Sequence, residues 1–257
     1  MSELEAVQSF IDLSRKLRTP AELDLLLQSI TRDMGFDHYA LIHHVDLSPI
    51  RADFGHMVKG ELLALTDYPD AWVEQYISDE IVSRDPVLLA SQRTSVGFAW
   101  SEMATLITLQ RPHLDQLERG RKAGIGDGFT VPANVPGEAN GSCNFVVETG
   151  RDLPDQRLAM AQLIGSYAFE AGRSIVTKAR LDQDEQPIEL TSRQLECIAL
   201  AGRGKSDWEI GKILGLAEGT VKTYINSARD RYGVAKRVQV VVRAVYDGQL
   251  PLAELLR

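Results

Sequence analysis

The stretch from residue 190 to residue 246 constrains the fold most, because its apolar residues recur at helical spacing on both sides of a short break. Ser206 precedes the first helical segment, and Glu209 three positions later completes the pattern of a capping box. Gly215 ends this segment. One apolar face is expected on it, formed by Ile210, Ile213 and Leu214.

The second helical segment has one apolar face and one polar face. Apolar or aromatic residues recur at i, i+4, i+7 and i+11, namely Val221, Ile225, Ala228 and Tyr232. A rotation of about 100° per residue places on the opposite face Gly219, Lys222, Thr223 and Asn226, with Arg229 at its margin. Such donor-rich side chains are suited to base edges in the major groove of DNA. The two segments therefore predict a helix-turn-helix.

The charge balance of this region favours contact with nucleic acid. Residues 189–257 carry 11 Lys and Arg against 8 Asp and Glu, although the whole chain has a formal net charge of -8. Neutralising phosphates supplies most of the sequence-independent affinity for DNA. The available cations are Arg203, Lys205, Arg229, Arg231, Lys236 and Arg237. From periodicity alone, a small helical bundle with a solvated polar face remains the alternative.

The run from Leu190 to Gly248 resembles the C-terminal DNA-binding domain of the LuxR family. The matching features are an opening Leu-Thr-x-Arg, Gly204, a Glu-Ile pair at 209–210 and the triplet Thr220-Val221-Lys222. The resemblance implies four helices and adds Thr220 to the predicted DNA contacts. Two departures are notable: Gln194 replaces a Glu of the family, and Ala217 stands where Ser is usual. Ala217 cannot cap the recognition helix, a loss of roughly 1 kcal/mol.

A cluster of aromatic and polar residues marks the first part of the chain: Tyr68, Trp72, Tyr76, Asp85 and Trp100. Trp72 and Tyr76 are four residues apart and share a helix face. Singly, each residue has an ordinary role, since aromatics fill cores and Asp85 precedes a helix that begins with Pro86. Together they predict a cavity with convergent polar groups, an arrangement that holds a small amphipathic ligand.

The spacing of these residues, together with Gly128, is similar to that of the autoinducer-binding domain of the same LuxR family. The resemblance implies an α/β/α sandwich around an antiparallel sheet, with an N-acyl-homoserine lactone buried between sheet and helices. It implies that Trp72 donates to the lactone carbonyl, Tyr68 to the acyl carbonyl, and that Asp85 accepts the amide N–H. Tyr76 and Trp100 would wall the pocket, and Asn144 would add a polar contact to the acyl group.

These expectations define an α+β chain of two domains. Residues 1–178 are predicted to bind the small molecule and to dimerise, residues 179–189 to form a linker, and residues 190–257 to form the all-α four-helix domain that binds DNA. Strands are expected over 128–133 and 141–148, and a long helix over 154–178. Pairing through this helix would form a homodimer and bring two recognition helices to the half-sites of a palindrome.

Several classes of protein are not indicated. No Ser/His/Asp set, pair of catalytic carboxylates or metal cluster is evident, so we expect neither an enzyme nor a cofactor or metal. Cys143 and Cys197 are expected to be buried thiols. The sequence has no apolar run of about 18 residues and no basic, secretory start, which predicts a cytoplasmic protein without membrane contact.

The sequence thus predicts a quorum-sensing transcription factor whose partners are double-stranded DNA and an acyl-homoserine lactone, with RNA polymerase as a further candidate. One alternative is a "solo" receptor of the same build that responds to a different small signal or to none. That reading would predict a pocket without the lactone-facing Trp72 and Asp85, and both are present. A two-component response regulator would need alternating strands and helices, which the first 180 residues lack.

Overall fold

The structure, a computed structural model, describes residues 2–44, 56–59, 62–79, 81–135, 140–181 and 188–256. The chain divides into two compact units. The first comprises most of residues 1–185, and the second comprises chiefly residues 186–257. The predicted linker begins inside a helix, because residues 179–181 are helical, and residues 182–187 lie outside the described residues. The predicted domain limits stay predictions.

The first unit is built on an antiparallel sheet of six strands in the order β2-β3-β1-β6-β5-β4. Every pairing in it is antiparallel, which confirms the predicted sheet type. The strands are β1 (His38–His43), β2 (His56–Lys59), β3 (Leu62–Thr66), β4 (Phe98–Ala99), β5 (Ile125–Ala133) and β6 (Gly141–Glu148).

Seven helices accompany this sheet within the described residues: α1 (Glu3–Ser14), α2 (Pro20–Asp33), α3 (Asp70–Ser78), α4 (Pro86–Ser91), α5 (Met103–Leu106), α6 (Arg111–Lys122) and α7 (Leu158–Leu181). Capping boxes open α1 and α2, because Ser2 pairs with Glu5 and Thr19 pairs with Glu22. At 24 residues α7 is the longest of them, yet no helix in the described ranges is long and apolar enough to cross a membrane.

The two faces of the sheet have different partners. Alternate side chains along β1 and β6, including Tyr39, Leu41, Cys143 and Phe145, pack against α1, α2 and α7 and form the main apolar core. The opposite face carries a row of aligned residues across four strands, Thr66, Ala40, Asn144 and Thr130. This second face is the floor of a cavity that residues of α3, α4 and α6 cover.

Two boundaries differ from those predicted. Strand β5 begins at Ile125 rather than at 128, because a register shift between Ile125 and Gly128 lets pairing with β6 start earlier. A Cβ on Gly126 would lie 2.6 Å from the carbonyl oxygen of Glu148, so this glycine permits close strand approach rather than a turn. Helix α7 begins at Leu158, since residues 155–157 form a 3₁₀ turn, and it continues three residues beyond 178.

The second unit contains the four predicted helices, α8 (Ser192–Gly202), α9 (Asp207–Leu214), α10 (Glu218–Arg231) and α11 (Arg237–Tyr246). The capping box of Ser206 and Glu209 opens α9, and Gly215 ends it with a φ of 68°. Val221, Ile225 and Ala228 are buried, which confirms the apolar face of the second predicted segment. Cys143 and Cys197 are buried free thiols, as predicted.

The predicted apolar face of α9 is wrong at Ile213, which is 55% exposed. The buried residues of this helix are Ile210 and Gly211, with Leu214 half-buried. A Cβ on Gly211 would lie 2.6 Å from the carbonyl oxygen of Leu216. The packed side of α9 is therefore centred on Gly211, whose lack of a side chain lets the backbone of the turn approach the helix. Ile213 lies on the solvent side.

Candidate ligand cavity and DNA-contacting helix

A cavity of about 70 Å³ lies on the second face of the sheet. Its walls include all six residues predicted to bind the ligand, Tyr68, Trp72, Tyr76, Asp85, Trp100 and Asn144. Asn144 belongs to β6, and Trp72 and Tyr76 belong to α3. Tyr68 and Asp85 lie just before α3 and α4, and Trp100 follows β4. Apolar residues such as Ile42, Val87 and Leu88 supply most of the remaining lining. The structure therefore brings the predicted residues into one mostly apolar site.

Asp85 combines its two candidate roles. Its Oδ1 accepts a hydrogen bond from the Val87 N–H at 2.8 Å and caps α4, of which Pro86 is the first residue. Its Oδ2 accepts from the Tyr76 hydroxyl at 2.6 Å. Burial raises the pKa of the Asp85 carboxyl, and the hydrogen bond from Tyr76 opposes that shift. A further N–H donor would stabilise the buried carboxylate.

Two donors at the cavity wall lack a partner. The Tyr68 hydroxyl and the Trp72 indole N–H form no hydrogen bond with the part of the chain that the structure describes, although Trp72 is only 6% exposed. Burial raises the pKa of Tyr68 well above its ordinary value, so this hydroxyl keeps its proton at neutral pH. The cavity thus offers two donors beside one carboxylate acceptor.

A hydrogen-bond chain fixes the other polar residues of the cavity floor. The Trp100 Nε1–H donates to Thr130 Oγ1 at 2.9 Å, and the Thr130 hydroxyl donates to Asn144 Oδ1 at 2.7 Å. The Asn144 amide donates to the Ala40 carbonyl at 3.2 Å and to Ser142 Oγ at 3.1 Å. Asn144 therefore uses both amide hydrogens inside the protein, and its contact with a ligand stays a prediction.

Sequence reasoning missed Thr130 because the sequence does not show which residues lie opposite each other in the sheet. Thr130 faces Asn144 across β5 and β6, and it connects Asn144 to Trp100. The alternation of side chains along a strand over 128–133 predicts only that Thr130 shares a face with Gly128. The strand register is needed to place Thr130 between Asn144 and Trp100.

Each of the two tryptophans lies against a glycine, and at Gly128 a larger residue would not fit. A Cβ on Gly128 would lie 2.6 Å from Cε2 of Trp100, so the indole lies directly against β5. A Cβ on Gly120 would lie 3.6 Å from the six-membered ring of Trp72, so α6 contacts this indole closely. The cavity is consequently bordered by a tryptophan on each of two sides.

In the second unit, α10 presents the predicted polar face. Gly219, Lys222 and Thr223 are exposed, while Thr220, Asn226 and Arg229 are half-buried. The Thr223 hydroxyl donates to the Gly219 carbonyl oxygen at 2.9 Å, which orients this side chain along the helix. Lys205 precedes α9 and is exposed, at 3.9 Å from Glu209.

Two of the predicted phosphate-binding cations, Arg203 and Arg237, form short ion pairs within the domain. Arg203 contacts the Glu254 carboxylate at 2.8 Å and donates to its carbonyl oxygen at 2.6 Å. Arg237 contacts the Asp207 carboxylate at 2.6 Å. The first pair joins the region after α8 to the C-terminal segment, and the second joins the first residues of α9 and α11. The phosphate contacts of Arg203 and Arg237 stay predictions. Lys222 and Lys236 remain exposed.

The two departures from the family have different structural outcomes. Gln194 completes a capping box with Thr191 at the start of α8, and its amide donates to Ser227 Oγ of α10 at 3.1 Å. The amide thus links the first helix to the recognition helix. Ala217 provides no side-chain hydrogen bond to α10, as predicted.

Comparison with known families agrees with both units. The family described as "Autoinducer binding domain" matches residues 19–172, and the family described as "Bacterial regulatory proteins, luxR family" matches residues 189–244. The chain therefore belongs to the LuxR family of quorum-sensing transcriptional regulators, with an autoinducer-binding domain ahead of a helix-turn-helix domain.

Individual relatives and solved structures match along most of the chain. The transcriptional activator protein AhyR of Aeromonas hydrophila is 26% identical over 228 residues, which cover 88% of this chain and 84% of AhyR. The crystal structure of Escherichia coli SdiA matches with a TM-score of 0.70 at 20% identity, covering 96% of this chain and 98% of SdiA. SdiA in complex with octanoyl-rac-glycerol matches with a TM-score of 0.68 at 19% identity and 96% coverage of both chains.

Proposed function

We propose that this regulator binds an N-acyl-homoserine lactone in its first unit and a palindromic promoter site through its second. The observation that carries the proposal is the pair of unpartnered donors, Tyr68 and Trp72, beside the buried carboxylate of Asp85. An acyl-homoserine lactone has two carbonyl groups and one amide N–H. Two donors and one acceptor in an apolar cavity are complementary to these groups.

The proposed contacts follow from this match. Trp72 donates its indole N–H to the lactone carbonyl, Tyr68 donates to the acyl carbonyl, and Asp85 accepts the amide N–H. Tyr76 holds the Asp85 carboxylate in place through its hydroxyl. Trp100 forms a wall, and Asn144 supports it through Thr130. Asn144 therefore acts on the ligand chiefly through the position of Trp100.

The proposed DNA contacts divide between bases and phosphates. Lys222, Thr223 and Asn226 of α10 read base edges, with Gly219, Thr220 and Arg229 at the groove, and Lys205 neutralises a phosphate. A homodimer presents two copies of α10 to half-sites about one DNA turn apart. The exposed Leu163 and Tyr167, one turn apart on α7, supply an apolar surface for pairing. RNA polymerase is a further proposed partner, and the cytoplasm the proposed site of action.

Expression of the whole chain with a panel of acyl-homoserine lactones tests the proposal. We expect one acyl chain length to co-purify in a stoichiometric amount, identified by mass spectrometry, and the loaded protein to protect a palindromic DNA site. A variant with both Tyr68→Phe and Trp72→Phe removes both donors and should retain little ligand. If no member of the panel is retained by the wild type, the lactone proposal is wrong.

One observation favours a second candidate, a receptor for a different acyl ligand. A structure of SdiA, which shares the fold, is a complex with octanoyl-rac-glycerol. The ester carbonyl of this ligand is an acceptor for Tyr68 or Trp72, and its hydroxyl groups are donors for Asp85. This ligand has no amide N–H. Competition between the lactone panel and a monoacylglycerol in the same binding assay decides between the two ligands.

A further inference from the structure

The cavity wall contains another polar side chain, on the charged helix α6. Gln116 lines the cavity and is half-buried. Its amide forms no hydrogen bond with the described part of the chain. Thr66, Trp100 and Asn144, which also line the cavity, are all hydrogen-bonded within the protein. Gln116 thus differs from them and shares the unpartnered state of Tyr68 and Trp72.

The contact of Gly120 with Trp72 shows where Gln116 lies along the cavity wall. Gly120 is four residues later, on the same face of α6, where a Cβ would lie 3.6 Å from Cζ2 of Trp72. Cη2 is equally close, so the six-membered ring of the indole lies against this face of α6. One helical turn spans about 5.4 Å. Gln116 is therefore on the cavity wall about one helical turn from the residue that contacts the Trp72 indole.

The Gln116 amide is partly accessible, and the side chain lines the cavity. A ligand that fills the cavity excludes water from its wall, so the amide then needs an acceptor on the ligand to avoid an unpaired donor. The lactone carbonyl oxygen, which has two lone pairs, is that acceptor, because Trp72 occupies only one of them.

We propose that Gln116 is a specificity-determining residue that donates its amide N–H to the head-group carbonyl oxygen, alongside Trp72. This inference rests on the proposed function. Two donors to the ring carbonyl favour binding of the lactone. A ligand with the same acyl chain and amide but no ring carbonyl should bind more weakly. Gln116 acts on the head group and does not contact the acyl chain.

The test compares two ligands that share the acyl chain preferred by the wild type: the acyl-homoserine lactone and the corresponding N-cyclopentyl amide, which lacks the ring carbonyl. Dissociation constants are measured for the wild-type chain and for Gln116→Met, a variant of similar length without polar hydrogen-bonding groups. The preference for the lactone should fall about three- to tenfold in Gln116→Met, as expected for one hydrogen bond.

Two controls accompany this comparison. Gln92→Met changes an exposed glutamine outside the cavity and should leave the preference unchanged. Tyr68→Phe removes the donor to the acyl carbonyl, which both ligands carry, and should weaken both equally. Thermal unfolding without ligand checks that each variant is folded, and Gln116→Leu replaces Gln116→Met if the latter melts early.

The outcomes separate the two proposals. If Gln116→Met binds both ligands more weakly by the same factor, or keeps the wild-type preference, Gln116 does not contact the head-group carbonyl and the inference is wrong. If the wild type binds neither ligand, the proposed function itself fails. A lower preference in Gln116→Met, with Gln92→Met unchanged, supports the inference.

Discussion

At Asp85, one carboxylate has a structural and a proposed ligand-binding role. One oxygen caps α4 and the other accepts from Tyr76 at the cavity. An alanine at this position would remove both roles at once and so could not separate them. Asparagine keeps an oxygen for the cap, because Asn and Asp are about equally good capping residues. It places an amide, which cannot accept the ligand N–H, where the second carboxylate oxygen was.

Asp85→Asn should therefore weaken lactone binding while leaving the fold intact. Loss of the charged acceptor leaves the ligand N–H unpaired and costs on the order of 1–3 kcal/mol, about tenfold or more in Kd. Binding titrations and unfolding of the unliganded protein measure the two effects. Asp70→Asn, an exposed carboxyl outside the cavity, is the matched control. Unchanged affinity in Asp85→Asn would mean that Asp85 serves only as a helix cap.

The same carboxylate predicts a pH dependence of binding. Burial raises the pKa of Asp85 above its ordinary value of 3.8. The ionised carboxylate is a stronger acceptor for the proposed ligand N–H than the protonated carboxyl is. Affinity should be constant at neutral pH and fall as the pH drops through this raised pKa. The affinity of Asp85→Asn should not change over this pH range. A wild-type affinity that does not change on acidification, while the protein stays folded, would contradict the assignment.

Substitution of Ala217 by a capping residue is expected to stabilise the protein. Its backbone has φ of -69° and ψ of 142°, a conformation that capping residues adopt, yet no side chain accepts from the first N–H groups of α10. Ala217→Ser should stabilise the chain by about 1 kcal/mol, or roughly 2–4 °C in melting temperature. Ala235→Ser, an exposed position outside the helices, is the control. Equal melting temperatures for Ala217→Ser and the wild type would show that this helix end does not limit stability.

Among the elements, α10 separates base contact from phosphate contact. Lys222, Thr223 and Asn226 project from the side opposite Val221 and Ile225, which are buried. Lys205 lies outside this helix, before α9. Because bases carry the sequence information and phosphates do not, the two groups of residues should differ in how they affect specific and random DNA.

Asn226→Ala should cost about 1–3 kcal/mol on the palindromic site and leave binding to scrambled DNA nearly unchanged. Lys205→Ala should weaken both equally and reduce the salt slope of log K by about one unit per lost phosphate contact, doubled in a dimer. Titrations at several salt concentrations measure both effects. An Asn226 variant that loses equal affinity on both DNAs would falsify the base-reading role.

The elements also show what the sequence can and cannot predict. The residue pattern alone located five of the cavity residues and the two helices around Gly215, since these depend on short-range periodicity and caps. The family resemblance added Asn144 and the other two helices of the second unit. The residue pattern failed at Ile213, because periodicity finds an apolar stripe but not the glycine around which α9 packs. It missed Thr130 and the start of β5, because strand register depends on a partner far away in the chain.

For the whole molecule, we expect the ligand to bind only the folded first unit, which links ligand binding to folding. The cavity lies between the sheet and the helices that cover it, and Trp72, Asp85 and Asn144 are each less than 10% exposed. A ligand enclosed there has no equivalent site in the unfolded chain. Ligand concentration should therefore set the stability of the unit, and with it the amount of folded protein available to bind DNA.

The melting temperature of the full chain, measured as a function of lactone concentration, tests this link between binding and folding. Stabilisation should follow RT ln(1 + [L]/Kd), reaching about 4 kcal/mol at a thousandfold excess over Kd. We expect the melting temperature to rise continuously with the logarithm of ligand concentration for the preferred acyl chain, and to rise less in Asp85→Asn. A melting temperature that stays constant across short and long acyl chains would show that the lactone does not bind the folded unit.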